Sequence, residues 1–200
     1  MRKRVLPRRL PPHFVWGLWH VQELSSNRCK WYAISMRDII LIAHNLRSCH
    51  NVGSLLRTAD GLGVTRVLLT GYTPYPTYPG DSRLPHVAQK LTKQIHKTAL
   101  GAEATLSWEH HEDILSVFET LRADGYTTAA IEQATGAQML PQYAPPQKIA
   151  LLVGREVEGV EPDVLAACDT ILEIPMYGSK ESFNVVQAAA MALYQCRFAA

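Results

Sequence analysis

The sequence lacks the segments that would send a chain into or across a membrane. No apolar run approaches the roughly 20 residues that span a bilayer, and the N-terminus has no apolar core of a secretory signal. The four cysteines form no CxxC pair, and the adjacent His110 and His111 do not have the spacing of metal ligands. We therefore expect a soluble, cytoplasmic protein with free thiols and without a metal.

The phosphate-binding motifs of common nucleotide enzymes are also missing. The sequence has no G-x-G-x-x-G and no Walker A motif, since Gly61 and Gly63 end a predicted helix and do not open one. No Ser or Cys lies in a nucleophile elbow, and no carboxylate pair stands at a plausible site. A dinucleotide dehydrogenase or an NTPase, which would bind NAD or ATP, is therefore disfavoured.

The formal charge of +2 is unevenly distributed along the chain. Residues 1–35 carry seven Lys or Arg residues against Glu23, whereas the rest carries 13 against 17 acidic residues. Two interpretations of residues 1–35 stay open: a basic tail that contacts nucleic acid, and a disordered extension or upstream translation before Met36. The remainder is long enough for one domain with a core, and it can bind nucleic acid only through a local basic patch.

From Met36 onward, predicted strands and helices alternate. Continuous apolar runs predict buried strands at 39–43, 66–70, 126–131, 148–153 and 171–174, and a short strand is predicted at 103–108. Helices are predicted at 51–62, with Asn51 as its cap, and at 85–100, 112–123, 162–167 and 183–198. This alternation predicts an α/β fold with a mostly parallel sheet flanked by helices.

Two surfaces of this fold suggest partners. Lys90, Lys93 and Lys97 recur at helical spacing and form one basic face, which is either an ordinary solvated face or a stripe that follows RNA phosphates. The loop 71–85 before them holds three tyrosines and is expected to be exposed, where its rings can stack on unpaired bases. The last helix is apolar nearly all round, which predicts a homodimer interface or deep burial.

Three loops that follow strands carry glycine and polar residues, at 44–51, 154–159 and 175–184. Ligands of open α/β sheets bind beyond the carboxyl ends of the strands, so these loops can form one pocket. We expect the chemistry at the third loop, where Gly178 and Ser179 let the backbone bend toward a ligand and Ser182 and Asn184 begin a helix. The alternative is that Ser182 and Asn184 are only helix caps.

These loops resemble the motifs of a known family. Asn51-Val52-Gly53 with Arg57-Thr58-Ala59, LLVGREVEGV at 151–160 and IPMYGSKESFNVVQAAA at 174–190 are similar, in order, to motifs one, two and three of the SpoU (TrmH) family of SPOUT methyltransferases. The resemblance covers residues 36–197 and implies that 36–200 form a SPOUT domain with a deep C-terminal trefoil knot. It implies a homodimer that transfers a methyl group from S-adenosylmethionine to a ribose 2′-hydroxyl of structured RNA. We favour tRNA over ribosomal RNA, because a minimal domain suits a compact substrate.

The resemblance also implies roles for single residues. Asn51 and Arg57 hold the motif-one positions that reach the acceptor nucleotide, and Glu156 holds the acidic position of motif two. A guanidinium loses its proton only above about pH 12, so we expect Arg57 to clamp a phosphate or hydroxyl, with Glu156 fixing it. Ser182 and Asn184 are expected to orient the nucleophile.

The implied contact residues form two sets. The cofactor is expected to lie against Glu132, Gln133, Ala134, Leu152, Val153, Gly154, Gly159, Ile174, Met176, Ser182 and Phe183. RNA is expected to contact Arg47, Arg83, Lys90, Lys93 and Lys97.

Three residues depart from those common in the family. Arg155 stands where many relatives have Asn, Phe183 replaces a common Leu, and Val186 replaces a small polar residue. These changes affect pocket shape and substrate choice. A non-catalytic knotted RNA-binding or assembly factor is the alternative, against which the intact motif residues argue.

Overall fold

The computed structural model describes residues 37–199. The predictions made for residues 1–35 therefore fall on a segment outside the described residues. The described residues belong to one compact unit. No helix in the described part is both long enough and apolar enough to cross a membrane.

The secondary-structure elements follow the predicted alternation. They are β1 Asp38–His44, α1 Cys49–Gly61, β2 Arg66–Thr70, α2 Pro85–Ala99, α3 Ala102–Thr105, β3 Trp108–His111, α4 Ile114–Ala123, β4 Thr127–Ile131, β5 Gln138–Met139, a 3-10 helix Leu140–Gln142, β6 Lys148–Val153, α5 Pro162–Ala167, β7 Thr170–Glu173 and α6 Val185–Phe198. The strands form one sheet in the order β3-β2-β1-β6-β4-β7-β5, and all its pairings are parallel. The predicted α/β class and the parallel sheet are confirmed.

The central strands are apolar throughout because both faces of the sheet are covered. In β1, Ile39 and Leu41 pack in the core that also contains residues of α1 and α6, whereas Ile40 and Ile42 pack in the core that contains α4 and α5. Successive side chains of a strand point to opposite faces, so two covered faces require a continuous apolar run. Because helices cover both faces of the sheet, polar groups can gather only at its edges and at the loops that follow the carboxyl ends of the strands.

One prediction about local structure is wrong, and a second is confirmed only in part. Residues 103–108 are not a strand, because a short helix, α3, comes first and β3 begins only at Trp108. The loop 71–85 is only partly exposed. Its Thr73 is buried, where the hydroxyl donates to the Ala43 carbonyl oxygen at 2.9 Å and accepts from the Leu46 N–H at 3.0 Å. A long-range polar contact of this kind leaves no local pattern in the sequence.

The last helix is buried on one face and exposed on the other. Its inner face includes Ala189 and Leu193. Arg197 is also buried, and its guanidinium donates to the carbonyl oxygens of Leu62, Gly63 and Arg37 at 2.7 to 3.0 Å. Burial lowers the pKa of Arg197. Of the two predictions for this helix, deep burial is therefore wrong for its outer face.

Candidate functional site

The polar loops meet at one edge of the sheet. β1, β6, β4 and β7 are consecutive parallel neighbours, so the loops that leave their carboxyl ends lie side by side. The loops after β4, β6 and β7 enclose a cavity of about 340 Å³. Its walls come from residues 131–133 and 153–159, from Ile174, Met176 and 181–183, and from the first turn of α6.

A chain of hydrogen bonds connects the three motif loops beside this cavity. Asn51 Nδ2 donates to Glu156 Oε1 at 3.0 Å. Asn184 Nδ2 donates to Asn51 Oδ1 at 3.5 Å. These three residues come from motifs one, two and three, and the fold brings them into contact.

The cap of α1 differs from the predicted one. Ser48, not Asn51, is the N-cap, and its hydroxyl accepts from the Asn51 N–H at 3.2 Å. The Asn51 side chain is therefore available to contact Glu156. Asn184 is a helix cap, as one of the two interpretations predicts, since its Oδ1 caps α6 by accepting from the Val186 N–H at 2.9 Å.

Glu156 is held as an anion. Burial disfavours its charged form, but hydrogen bonds from Asn51 and from the backbone N–H groups of Arg47 and Ser48 outweigh burial and lower the pKa of Glu156. The carboxylate therefore stays ionised at neutral pH and contributes a fixed negative charge to the cavity wall.

Most of the predicted cofactor residues line the cavity. The lining includes Glu132, Gln133, Val153, Gly154, Gly159, Ile174, Met176, Ser182 and Phe183. Ala134 is not part of it, and Leu152 is fully buried in the core on the α4 and α5 side. Leu152 points away because neighbours along a strand alternate, so Val153 and Leu152 face opposite sides of the sheet.

Two of these glycines allow the β6 loop to turn tightly. A Cβ on Gly154 would lie 2.6 Å from Val160 Cγ2. Gly159 has a φ of +71°, and a Cβ there would overlap the Glu132 carboxylate. Only glycine fits both positions.

The sequence analysis missed two charged residues in the lining, Glu158 and Glu181, and it expected Arg155 to affect pocket shape without giving it a contact. Arg155 and Glu158 lie within the motif-two segment, which was the available signal. Arg155 Nε donates to the Gly159 carbonyl oxygen at 3.2 Å and lies 3.6 Å from Glu161 Oε1. With Glu132 and Glu156, the cavity has four carboxylates against one guanidinium.

The sequence analysis also missed His44 and Asn45, which connect the segments that carry motifs one and two. His44 is buried at the end of β1, and its Nδ1 lies 2.8 Å from Thr70 Oγ1. Asn45 has a φ of 55° and donates from Nδ2 to Glu161 Oε1 at 2.8 Å. Burial, the largest influence, lowers the pKa of His44. This network fixes the loop that carries Asn51 relative to the loop that carries Glu156.

Arg57 lies apart from the cavity. It is exposed on α1 and lines a groove of about 490 Å³ together with Ser54, Thr58, Lys97, Thr98 and Leu100. Within residues 37–199, Arg57 forms no hydrogen bond or ion pair. The expected contact between Glu156 and Arg57 is therefore not made within one chain, where Asn51 takes that place.

The predicted RNA contacts divide into two groups. Lys90, Lys93 and Lys97 are exposed on α2 and pair with no acidic group of the described chain, whereas the exposed Arg47 pairs with Glu158 at 2.8 Å. Arg83 behaves differently, which corrects its predicted role.

The guanidinium of Arg83 is occupied by its own loop. It pairs with Asp81 at 2.6 Å, donates to the Tyr75 carbonyl oxygen at 3.0 Å and lies 3.5 Å from the centroid of the Tyr75 ring. Its side chain is 18% exposed, and it holds the pKa of Asp81 far below the ordinary value. Arg83 stabilises the 71–85 loop, since four of its five N–H donors contact acceptors within that loop.

Comparison with known proteins assigns the chain to one family. The sequence model of the SpoU rRNA Methylase family matches residues 38–194. The tRNA (guanosine(18)-2'-O)-methyltransferase of Thermus thermophilus is 27% identical over 161 residues, 80% of this chain and 74% of the relative. The 23S rRNA (guanosine-2'-O-)-methyltransferase RlmB of Neisseria meningitidis is 26% identical over 178 residues, 89% of this chain and 63% of the relative.

Solved structures share the fold. An AdoMet-bound rRNA methyltransferase from Sinorhizobium meliloti has a TM-score of 0.67 at 20% identity, covering 80% of this chain and 56% of that one. The A. aeolicus TrmH/SpoU tRNA modifying enzyme has a TM-score of 0.66 at 21% identity, covering 80% and 74%. The chain thus spans less than two thirds of the Neisseria relative and of the Sinorhizobium structure.

Proposed function

This chain belongs to the SpoU rRNA Methylase family, and we propose on that premise that it methylates a ribose 2′-hydroxyl of RNA with S-adenosylmethionine as the donor. The observation that carries the proposal is the hydrogen-bonded set Asn184, Asn51 and Glu156, which joins the three motif loops at the cavity. Relatives named as 2′-O-methyltransferases of tRNA and of 23S rRNA support it.

The cavity fits the proposed cofactor in size and in charge. Its volume lies within the roughly 300 to 1,000 Å³ of small-molecule sites. The glycines at 154 and 159 bring the backbone close to a ligand, and the excess of carboxylates complements a cationic sulfonium. When bound, S-adenosylmethionine supplies an electrophilic methyl group.

The protein then contributes alignment and electrostatics. Ser182 lines the cavity and Asn184 lies beside it, which supports a role for both in orienting the ribose hydroxyl. Asn51 and the ionised Glu156 hold the two other motif loops in register. Arg57 lies outside the cavity of its own chain, which supports an active site completed by Arg57 of the partner subunit.

We propose a homodimer built on the exposed face of α6. Tyr194 and Phe198 are 60% and 48% exposed, and their ring centroids lie 4.7 Å apart. Two adjacent exposed aromatic rings on the outer face of a helix are typical of an interface. The deep trefoil knot implied by the resemblance is part of the same proposal, supported by the likeness in fold to the solved relatives.

Replacing Tyr194 and Phe198 together by Glu is expected to convert a dimer into a monomer, because two charges would be buried at the interface. Size-exclusion chromatography with light scattering measures the mass. Leu115→Glu is the matched control, since Leu115 is 43% exposed on α4, which covers the other face of the sheet. A wild-type monomer, or a double variant that stays dimeric, contradicts the proposed interface.

The RNA is proposed to lie along Lys90, Lys93 and Lys97, which lead to the groove that holds Arg57. We favour tRNA as the substrate and the cytoplasm as the place of action. The test is transfer of labelled methyl to total tRNA and, separately, to ribosomal RNA from a strain that lacks the gene. Label in nuclease-resistant 2′-O-methyl dinucleotides from one pool is expected. Cofactor binding without label in either pool would instead favour a non-catalytic RNA-binding factor.

A further inference from the structure

The segment 175–183, which follows β7 and forms one wall of the cavity, makes few contacts with the rest of the chain. Residues 177–183 are exposed, and Tyr177 is 97% exposed. Among the residues that the structure describes, one hydrogen bond reaches the segment 175–183, from Gln133 Nε2 to the Glu181 carbonyl oxygen at 2.7 Å. Segments with few protecting contacts open at low free-energy cost, so this wall is the one that can move.

Glu132, the residue before Gln133, holds the 154–160 loop, which forms another wall of the cavity. Glu132 Oε1 accepts from the Gln133 N–H at 2.9 Å, and Glu132 Oε2 accepts from the Val160 N–H at 3.0 Å. The left-handed Gly159 leaves room for this carboxylate. Each oxygen faces an N–H donor, so only an acceptor-only carboxylate satisfies both, and the isosteric amide of Gln does not.

We propose that Glu132 and Gln133 are positioning residues for the cofactor. The Glu132 carboxylate sets the shape of the 154–160 loop, and the Gln133 amide retains the 175–183 segment over the bound molecule. Both side chains belong to the cavity lining. The cofactor enters and leaves by displacement of 175–183, while 154–160 stays in place. This inference rests on the proposed function, because it takes S-adenosylmethionine as the occupant.

Two isosteric swaps test it in the full-length protein. Glu132→Gln places an amide N–H against a backbone N–H, and Gln133→Glu removes the donor to the Glu181 carbonyl. Isothermal titration with S-adenosylmethionine is expected to give a Kd about 10- to 100-fold higher for Glu132→Gln, the loss for an unsatisfied polar group. For Gln133→Glu the expected rise is about 3- to 10-fold, the value of one hydrogen bond.

Rates separate the two roles. Stopped-flow measurement is expected to show that Gln133→Glu acts mainly by speeding cofactor dissociation, since its hydrogen bond retains the movable wall. RNA affinity without cofactor is expected to stay at the wild-type value for both swaps. The melting temperature of the ligand-free protein is expected to stay unchanged for Gln133→Glu and to fall only slightly for Glu132→Gln, which breaks hydrogen bonds of the ligand-free fold. Glu119→Gln, an exposed carboxylate on α4, is the matched control and is expected to change nothing.

Each outcome of these measurements supports or overturns the proposed roles of Glu132 and Gln133. Cofactor affinities within twofold of wild type for both swaps overturn the inference. A lowered melting temperature with equal loss of RNA and cofactor binding also overturns it, since that is general destabilisation. A wild-type chain that binds the cofactor but transfers no methyl group contradicts the proposed function, and the comparison of affinities still decides the inference. A wild-type chain that binds no S-adenosylmethionine overturns both.

Discussion

Replacing Arg57 by Ala is expected to lower methyl transfer about 10²- to 10³-fold, the loss that follows removal of one preorganised donor from a transition state. Cofactor affinity and thermal stability are expected to stay unchanged. The reason is that Arg57 is exposed, contacts no described residue by hydrogen bond or ion pair, and lies outside the cavity lining. Label transfer to RNA gives the rate, and titration calorimetry gives the cofactor Kd.

Two control variants show what kind of group Arg57 is. Arg57→Lys keeps the charge but not the planar fork of donors, and it is expected to recover only part of the rate if a bidentate clamp is needed. Lys90→Ala removes one exposed charge from α2, away from the groove, and is expected to weaken RNA binding slightly without a large effect on the rate at saturating RNA. An Arg57→Ala protein with wild-type turnover would remove Arg57 from the site and, with it, the strongest argument for a shared active site.

Replacing Gly53 by Ala is expected to lower the free energy of unfolding by on the order of 3 kcal/mol, because overpacking against a fixed backbone cannot relax. Gly53 is where α1 and α2 touch. A Cβ there would overlap the carbonyl oxygen of Ile95 and the Thr98 hydroxyl, and would lie 3.0 Å from Ala99 N. Thr98 donates to the His50 carbonyl oxygen at 2.8 Å, which anchors α2 at the start of α1. Chemical denaturation measures the change.

The same helix supplies the control. Gly61 ends α1, and a Cβ there would meet no atom within 4 Å. Gly61→Ala is therefore expected to leave stability unchanged or raise it by up to about 1 kcal/mol, through the better helix propensity of alanine. Equal effects of the two changes would show that the close approach of α1 and α2 is not rigid. Since Gly53 follows Asn51 by two residues, the Gly53→Ala protein is also expected to lose activity through displacement of Asn51.

Local pattern was a good guide wherever one element decides its own structure. The strand Lys148–Val153 and the helix Pro162–Ala167 have the predicted bounds. The stripe of α1 that includes Val52 and Leu55 is buried as its periodicity predicts. Such elements are readable because burial on one helical face, or on both faces of a strand, imposes a repeating apolar pattern on neighbouring residues.

The errors concern polar groups whose partners are distant in sequence. Asn51 was predicted to be a cap, but Ser48 takes that position and Asn51 bonds to Glu156, 105 residues away. Arg83 was predicted to contact RNA, yet it is enclosed by its own loop. Residue type alone does not reveal which of several possible partners a side chain contacts.

By itself, the sequence determined the parallel α/β sheet, most of its long strands and helices, the three motifs and the family. Apolar periodicity and short motifs are properties of contiguous residues, so they can be recognised in the sequence without a structure. Only the tertiary structure decided that Glu132 holds the 154–160 loop, that Arg197 lies on the buried face of α6, and that Arg57 lies away from the cavity of its own chain. Those facts depend on which loops the sheet brings side by side, and hydrogen-bond donors and acceptors acquire specific partners only once the chain has folded.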